Sequence, residues 1–143
     1  MAIVYFDSSA LVKLVVDEVG SDVAATLWNA CDAALSSRLA YPEVCAALAA
    51  AHRNGDLGRD EVAEAAEEWE IFWASIRPVE LSADVERSAG ALSVRHRLRG
   101  ADAVHLASAL AIGVDDVTVA VWDRRLHAGV VAAGLAVAPP TLD

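Results

Sequence analysis

The sequence predicts an α/β domain in which a parallel sheet is covered by helices on both faces. Three observations carry this. Residues 2–6 (Ala-Ile-Val-Tyr-Phe) and 117–122 (Val-Thr-Val-Ala-Val-Trp) are short, continuous apolar runs, the pattern of strands buried on both faces. Stretches with helical spacing separate the apolar runs, as crossovers between parallel strands require. From Arg59 to Ile76 the apolar residues Val62, Ala65, Ala66, Trp69, Phe72, Trp73 and Ile76 share one helical face, and the acids share the other.

The elements follow in order. The first strand ends at Asp7, and Ser8 and Ser9 offer N-caps for a helix through about Val16. Gly20-Ser21 punctuates, and a second helix with Val23, Leu27 and Trp28 on one stripe runs to about Cys31. Residues 33–36 form a short strand. The next helix begins at Leu39 or Pro42 and ends at Arg53, before Asn54-Gly55. Proline is tolerated only in a first helical turn, which puts Glu43 at or near this helix's N-terminus. After the amphipathic helix, Arg77 to Leu81 reads as a strand that Pro78 confines to an edge. A helix starts at Ser82 or Asp84 and runs to about Leu98. Gly100 breaks it, and Ala101 to Ile112 forms another, closed by Gly113. After the strand that ends before Asp123, a last helix to about Gly134 and a strand, Leu135 to Val137, complete a single domain over residues 1–143.

Composition narrows the function. The chain is 56% hydrophobic, much of it alanine and valine, which suits tight packing of helices on a sheet. Cys31 and Cys45 have neither C-x-x-C nor zinc-finger spacing and read as small buried hydrophobes in a reducing compartment. Asp7, Lys13 and Asp17 interrupt the apolar N-terminus, which argues against a signal peptide, and no run is long enough to span a membrane. A cytoplasmic protein is expected. Its formal charge is −10, with Lys13 the single lysine. Such a balance disfavours a general polyanion binder. Much of the excess lies in Asp60, Glu61, Glu64, Glu67, Glu68 and Glu70, on one solvated helix face.

Four other acids share an address. In an open parallel sheet, ligands bind at the carboxyl ends of the strands. Asp7 and Asp123 follow buried strands and emerge at that edge, and Glu43 and Asp102 fall in first helical turns that face it if the preceding connections are short. Taken singly, each reads more readily as an N-cap or an ordinary first-turn acid than as a ligand. Taken together, four carboxylates repel one another unless cations lie between them. Oxygen-only donors suit Mg²⁺ or Mn²⁺. Such a site can activate water and stabilise charge at a phosphate.

Local sequence adds a resemblance. The segment from Tyr5 to Leu14, YFDSSALVKL, resembles the opening of VapC-type toxins of the PIN-domain family. Tyr41-Pro-Glu-Val44 is similar to the family's second acidic motif. The segment from Arg99 to Leu110, RGADAVHLASAL, resembles the third and is the most specific match. Trp122-Asp-Arg-Arg-Leu126, followed by Gly134-Leu135, resembles the fourth. The resemblance implies a three-layer α/β/α fold and a Mg²⁺-dependent ribonuclease, the toxin of a type II toxin–antitoxin pair. It further implies a homodimer neutralised by a cognate VapB-type antitoxin. Asp7, Glu43, Asp102 and Asp123 match the acidic positions, and Ser9 matches a hydroxyl that supports the first acid. Many members carry Thr or Ser two residues before the fourth acid, where this chain has Val121. Thr118 cannot substitute, because its odd offset points it to the other face of the strand.

Among other residues, Arg99 and Arg124 stand beside acids and are candidates for phosphate contacts. His105, one turn after Asp102, reads as a packing residue in an apolar run and is left out of the chemistry. Trp69 and Trp73 are expected to be buried, in the core or against a dimer mate or antitoxin helix. Two rival readings fail on sequence. A phospho-acceptor receiver needs an acidic pair near the first strand and a late lysine, and a haloacid-dehalogenase-like phosphatase needs a second aspartate where Ser9 stands. The remaining alternative is a PIN-like module that binds an antitoxin with little or no nuclease activity. The acidic surface and Val121 favour it, and the four intact acids oppose it.

Overall fold

The computed structural model describes residues 1–113 and 115–143. Its elements are β1 (Ile3–Phe6), α1 (Ser8–Val15), α2 (Ser21–Ala30), β2 (Ala33–Ser37), α3 (Ala40–Arg53), α4 (Arg59–Ser75), β3 (Arg77–Val79), α5 (Ala83–His96), α6 (Gly100–Ile112), β4 (Val117–Ala120), α7 (Arg124–Ala132) and β5 (Ala136–Ala138). The strands form one five-stranded sheet in the order β3-β2-β1-β4-β5, and every pairing is parallel. Pro78 lies in β3, at the sheet's edge, where its missing N–H breaks no inner ladder.

The period of two along each strand divides the interior into two cores. Tyr5, Val117, Val119 and Val121 face one, filled by Val85, Ala89 and Leu92 of α5, Leu106 of α6 and Leu126 and Val130 of α7. Val4, Phe6, Ala34 and Ala120 face the other, filled by Leu11 of α1, Val44 and Leu48 of α3 and Trp69 of α4. Helices α1 to α4 therefore cover one face and α5 to α7 the other. The result is the three-layer α/β/α arrangement.

Some expectations shift. β4 stops at Ala120 rather than residue 122, because the Trp122 N–H donates to the Ser9 hydroxyl and not to a neighbouring strand. Asp123 thus stands three residues beyond the strand. α5 ends at His96, where Arg97 takes a left-handed conformation (φ 55°) and turns Leu98 into the core. Three faces are narrower than their spacing implies. Ala66 is exposed on α4, Val23 is exposed on α2, and Cys45 is exposed on α3. Each lies at the margin of a stripe whose centre (Ala65 and Trp69, Ala24, Val44 and Leu48) takes the contact. Cys31 is half-buried, so neither thiol is the buried hydrophobe expected. Among the described residues no helix is long and apolar enough to cross a membrane.

Candidate active site

The sheet order reverses between β1 and β4. After β1 the chain moves outward to β2, and after β4 it moves the other way to β5. Diverging connections open a crevice at the carboxyl ends of those two strands. Asp7 follows β1 directly at this point, and its N–H donates to Ala120 O of β4 at 3.2 Å. Its carboxylate caps α1. Oδ1 accepts from Ala10 N at 2.9 Å and from Ser9 Oγ at 2.6 Å.

Asp7 is only 3% exposed, and burial pushes its carboxyl up to about 6. The Asp123 charge adds to this, while His105 and the Ser9 and Ala10 hydrogen bonds work against it. Asp123 caps α7 by accepting from Leu126 N at 2.9 Å, and it is exposed. Asp102 lies half-buried in the first turn of α6. Burial first, then Asp123 and Glu43, raise its carboxyl, and His105 and Arg99 oppose them. Glu43 sits in the first turn of α3, with Oε1 2.6 Å from His105 Nε2. The four acids named from the sequence thus lie within one another's field at one edge. The N-cap reading is correct for Asp7 and Asp123, each of which caps a helix with one carboxylate oxygen.

Ser9 does more than hold the first acid. Its hydroxyl donates to Asp7 and accepts from Trp122 N at 3.0 Å, stitching the chain after β1 to the chain just before Asp123. Val121, where a hydroxyl was expected, is fully buried in the core. Backbone support from Leu126 and the Ser9 link hold this stretch instead.

Sequence reasoning set His105 aside, yet both of its ring nitrogens are engaged beside the acids. It is 2% exposed, with Nδ1 2.7 Å from the Tyr5 hydroxyl and Nε2 on Glu43. Its three-residue offset from Asp102 on one helix was the available signal.

Comparison with known proteins places the family. The PIN-domain family model, "PIN domain", matches residues 4–127. The chain is 65% identical over 143 residues to ribonuclease VapC45 of Mycobacterium tuberculosis, covering 100% of this chain and 99% of that one. The chain belongs to the PIN-domain family, in its VapC group. Among solved structures, the sarcin-ricin loop cleaving toxin VapC20 of M. tuberculosis is similar in fold, with a TM-score of 0.67 at 20% identity over 93% of this chain and 96% of that one. A toxin–antitoxin complex from Klebsiella pneumoniae gives a TM-score of 0.67 at 18% identity, covering 100% of each chain.

In this PIN domain the two candidate arginines differ. Arg99 occupies the N-cap position of α6, exposed, and its charge bears on Asp102. Arg124 opens α7 and donates to the Asp143 carbonyl, in a cleft it shares with Trp122 and Pro139. Trp69 is buried and Trp73 half-buried, and both rings pack with Tyr41.

The donor set at the crevice is all carboxylate oxygen, which fits a hard divalent ion and not zinc or copper. A buried carboxylate pushed upward by its neighbours is one that a cation would relieve. Among the described residues, no three His, Cys, Asp or Glu side chains are gathered closely enough to hold an ion between them. Oδ1 of Asp7, Oδ1 of Asp123 and Oε1 of Glu43 are each engaged within the protein. Binding would therefore require the side chains to draw inward.

Proposed function

We propose that this chain is a Mg²⁺-dependent endoribonuclease, active also with Mn²⁺, that serves as the toxin of a type II toxin–antitoxin pair in the cytoplasm. The observation that carries the reading is the placement of Asp7, Glu43, Asp102 and Asp123 within reach of one another's charge, Asp123 raising the carboxyls of Asp7 and Asp102 and Glu43 raising that of Asp102. The 65% identity to a ribonuclease over the whole chain supports the same reading.

Asp7, Asp102 and Asp123, with Glu43, would hold the ion, which when bound supplies an activated water and neutralises charge at the scissile phosphate. Asp7 contributes rigidity, because burial, the helix cap and Ser9 fix its carboxylate. Asp123 is exposed and Asp102 half-buried, so they form the open side where a phosphodiester backbone can enter. Arg99, exposed beside Asp102, and Arg124, once released from Asp143, would take flanking phosphates and orient the strand. Local cations matter more here than elsewhere, because the chain as a whole repels RNA.

We further propose that the protein forms a homodimer and is neutralised by a cognate VapB-type antitoxin. The likeness in fold to a toxin–antitoxin complex supports the partner class. The test is to incubate purified, antitoxin-free protein with total RNA in Mg²⁺ or Mn²⁺, beside EDTA and Asp7→Asn controls. Discrete cleavage lost in both controls is the expected result. Equal cleavage by Asp7→Asn would defeat the mechanism. Cleavage by neither protein, with antitoxin binding intact, would favour the binding-only alternative.

A further inference from the structure

Three polar side chains from three elements form one hydrogen-bonded chain beneath the acids. Tyr5 of β1 is fully buried, and its hydroxyl meets His105 Nδ1 at 2.7 Å. His105 Nε2 meets Glu43 Oε1 of α3 at 2.6 Å. An ionised carboxylate only accepts, so Nε2 carries a proton. In a neutral ring Nδ1 is then the acceptor, and the phenol donates to it. Burial holds the Tyr5 hydroxyl well above its ordinary range, so it keeps its proton as donor.

Packing alone does not call for this arrangement. The other buried residues of α6 are Ala103, Leu106, Ala107, Ala109 and Ser108, whose hydroxyl is spent on the Val104 carbonyl of its own helix. An apolar side chain there would avoid the desolvation that a buried imidazole incurs. Both ring nitrogens are instead engaged, and the contact joins helices on opposite faces of the sheet. It occupies one oxygen of Glu43 and fixes that carboxylate.

We propose that His105, held in place by Tyr5, is a positioning residue that orients Glu43 toward the acidic cluster and so sets the site's affinity for a divalent ion. The proposal rests on the metal-dependent reading of the site. Outer groups that orient carboxylate and histidine ligands have this effect in metal sites generally. Gln at 105 can place its amide nitrogen near the Nε2 position and still donate to Glu43. Asn can meet Tyr5 but falls short of Glu43.

The test is Mn²⁺ affinity by isothermal titration calorimetry on the full, antitoxin-free chain, with thermal unfolding in EDTA as a check on folding. The proteins are wild type, Asp7→Asn, His105→Asn, His105→Gln, Tyr5→Phe, Glu43→Gln and the His105→Asn/Glu43→Gln double variant. His105→Asn is expected to bind Mn²⁺ about 10–100-fold more weakly. His105→Gln should stay near wild type, and Tyr5→Phe should fall between. In the Glu43→Gln background, His105→Asn should add no further loss.

Wild-type affinity in His105→Asn, or an equal loss with and without Glu43, overturns the proposal. If His105→Asn does not fold, the folded Gln and Phe variants decide: unchanged affinity in Tyr5→Phe, or a large loss in His105→Gln, overturns it. Failure of the wild type to bind Mn²⁺, or equal binding by Asp7→Asn, defeats the metal reading and this inference with it. Tight wild-type binding, lost in Asp7→Asn but kept in His105→Asn, defeats the inference alone.

Discussion

Asp7 carries the tension of the site in one side chain. Its carboxyl is raised from 3.8 to about 6, chiefly by burial. Between those values the folded chain holds a proton that the unfolded chain has released. Stability without metal therefore falls as pH rises through that window and stays reduced above it, by on the order of 2–3 kcal/mol. Asn keeps the helix cap without the charge. In EDTA at pH 7.5, Asp7→Asn should be more stable than wild type by about 1–2 kcal/mol, the gap closing near pH 4. Urea unfolding across that range checks it, and a less stable variant at pH 7.5 would refute it. Mg²⁺ should reverse the order, stabilising wild type by about 2.7 kcal/mol at a hundredfold excess over its Kd while leaving Asp7→Asn unmoved. Ser9 offers a second test. Ser9→Ala loses hydrogen bonds to both Asp7 and Trp122. It should cost about 1–3 kcal/mol by chemical denaturation, and cleavage should fall with it.

At the scale of elements, the turn between α1 and α2 buttresses the approach to Asp123. Gly20 has φ +93°, and a Cβ there would stand 2.7 Å from Trp122 Nε1. Both the conformation and the space exclude a side chain. The Trp122 ring also lies under Lys13, whose Nζ is 5.3 Å from the ring centroid. Gly20→Ala should therefore displace Trp122 and lower stability by about 1–3 kcal/mol. Thermal melting measures the loss, and a change in Trp122 fluorescence reports the displacement. An Ala variant that melts with the wild type would show that the turn can relax without cost. The helices that supply Glu43 and Asp102 start at the same edge because α3 leaves the carboxyl end of β2 by a short connection and α6 returns the chain to the start of the parallel strand β4. At the start of α6 the helix dipole favours the ionised Asp102 carboxylate that burial and repulsion disfavour.

Across the whole molecule, charge works against the substrate. A net −10 repels RNA, and the six acids of α4 contribute strongly. Five of them, Asp60, Glu61, Glu64, Glu67 and Glu70, are exposed, Glu70 meeting the Tyr41 hydroxyl. Glu64→Lys/Glu67→Lys should raise kcat/KM for RNA several-fold at low ionic strength and leave kcat unchanged, with the gain fading as salt screens it. A gain independent of salt would mean that a local contact, and not the long-range field, is responsible.

Sequence alone determined the periodicities, and through them the parallel sheet with helices on both faces and the order of elements, and it put four acids at strand and helix ends. Short continuous apolar runs and stripes of period 3.6 are local properties, and so is an acid's place at a strand or helix end. The exposure of Cys45 and Ala66 was not legible, because a stripe's margin depends on how its helix is rotated against neighbours far away in the chain. The early end of β4 was not legible either. It depends on Ser9, 113 positions from Trp122, taking an N–H that a strand would otherwise use. His105 is the plainest case. One turn from Asp102 on an apolar helix, it reads as packing until β1 delivers Tyr5 to one nitrogen and α3 delivers Glu43 to the other. Partners 100 and 62 positions away are chosen by the crossing of layers, and only the tertiary structure decides that.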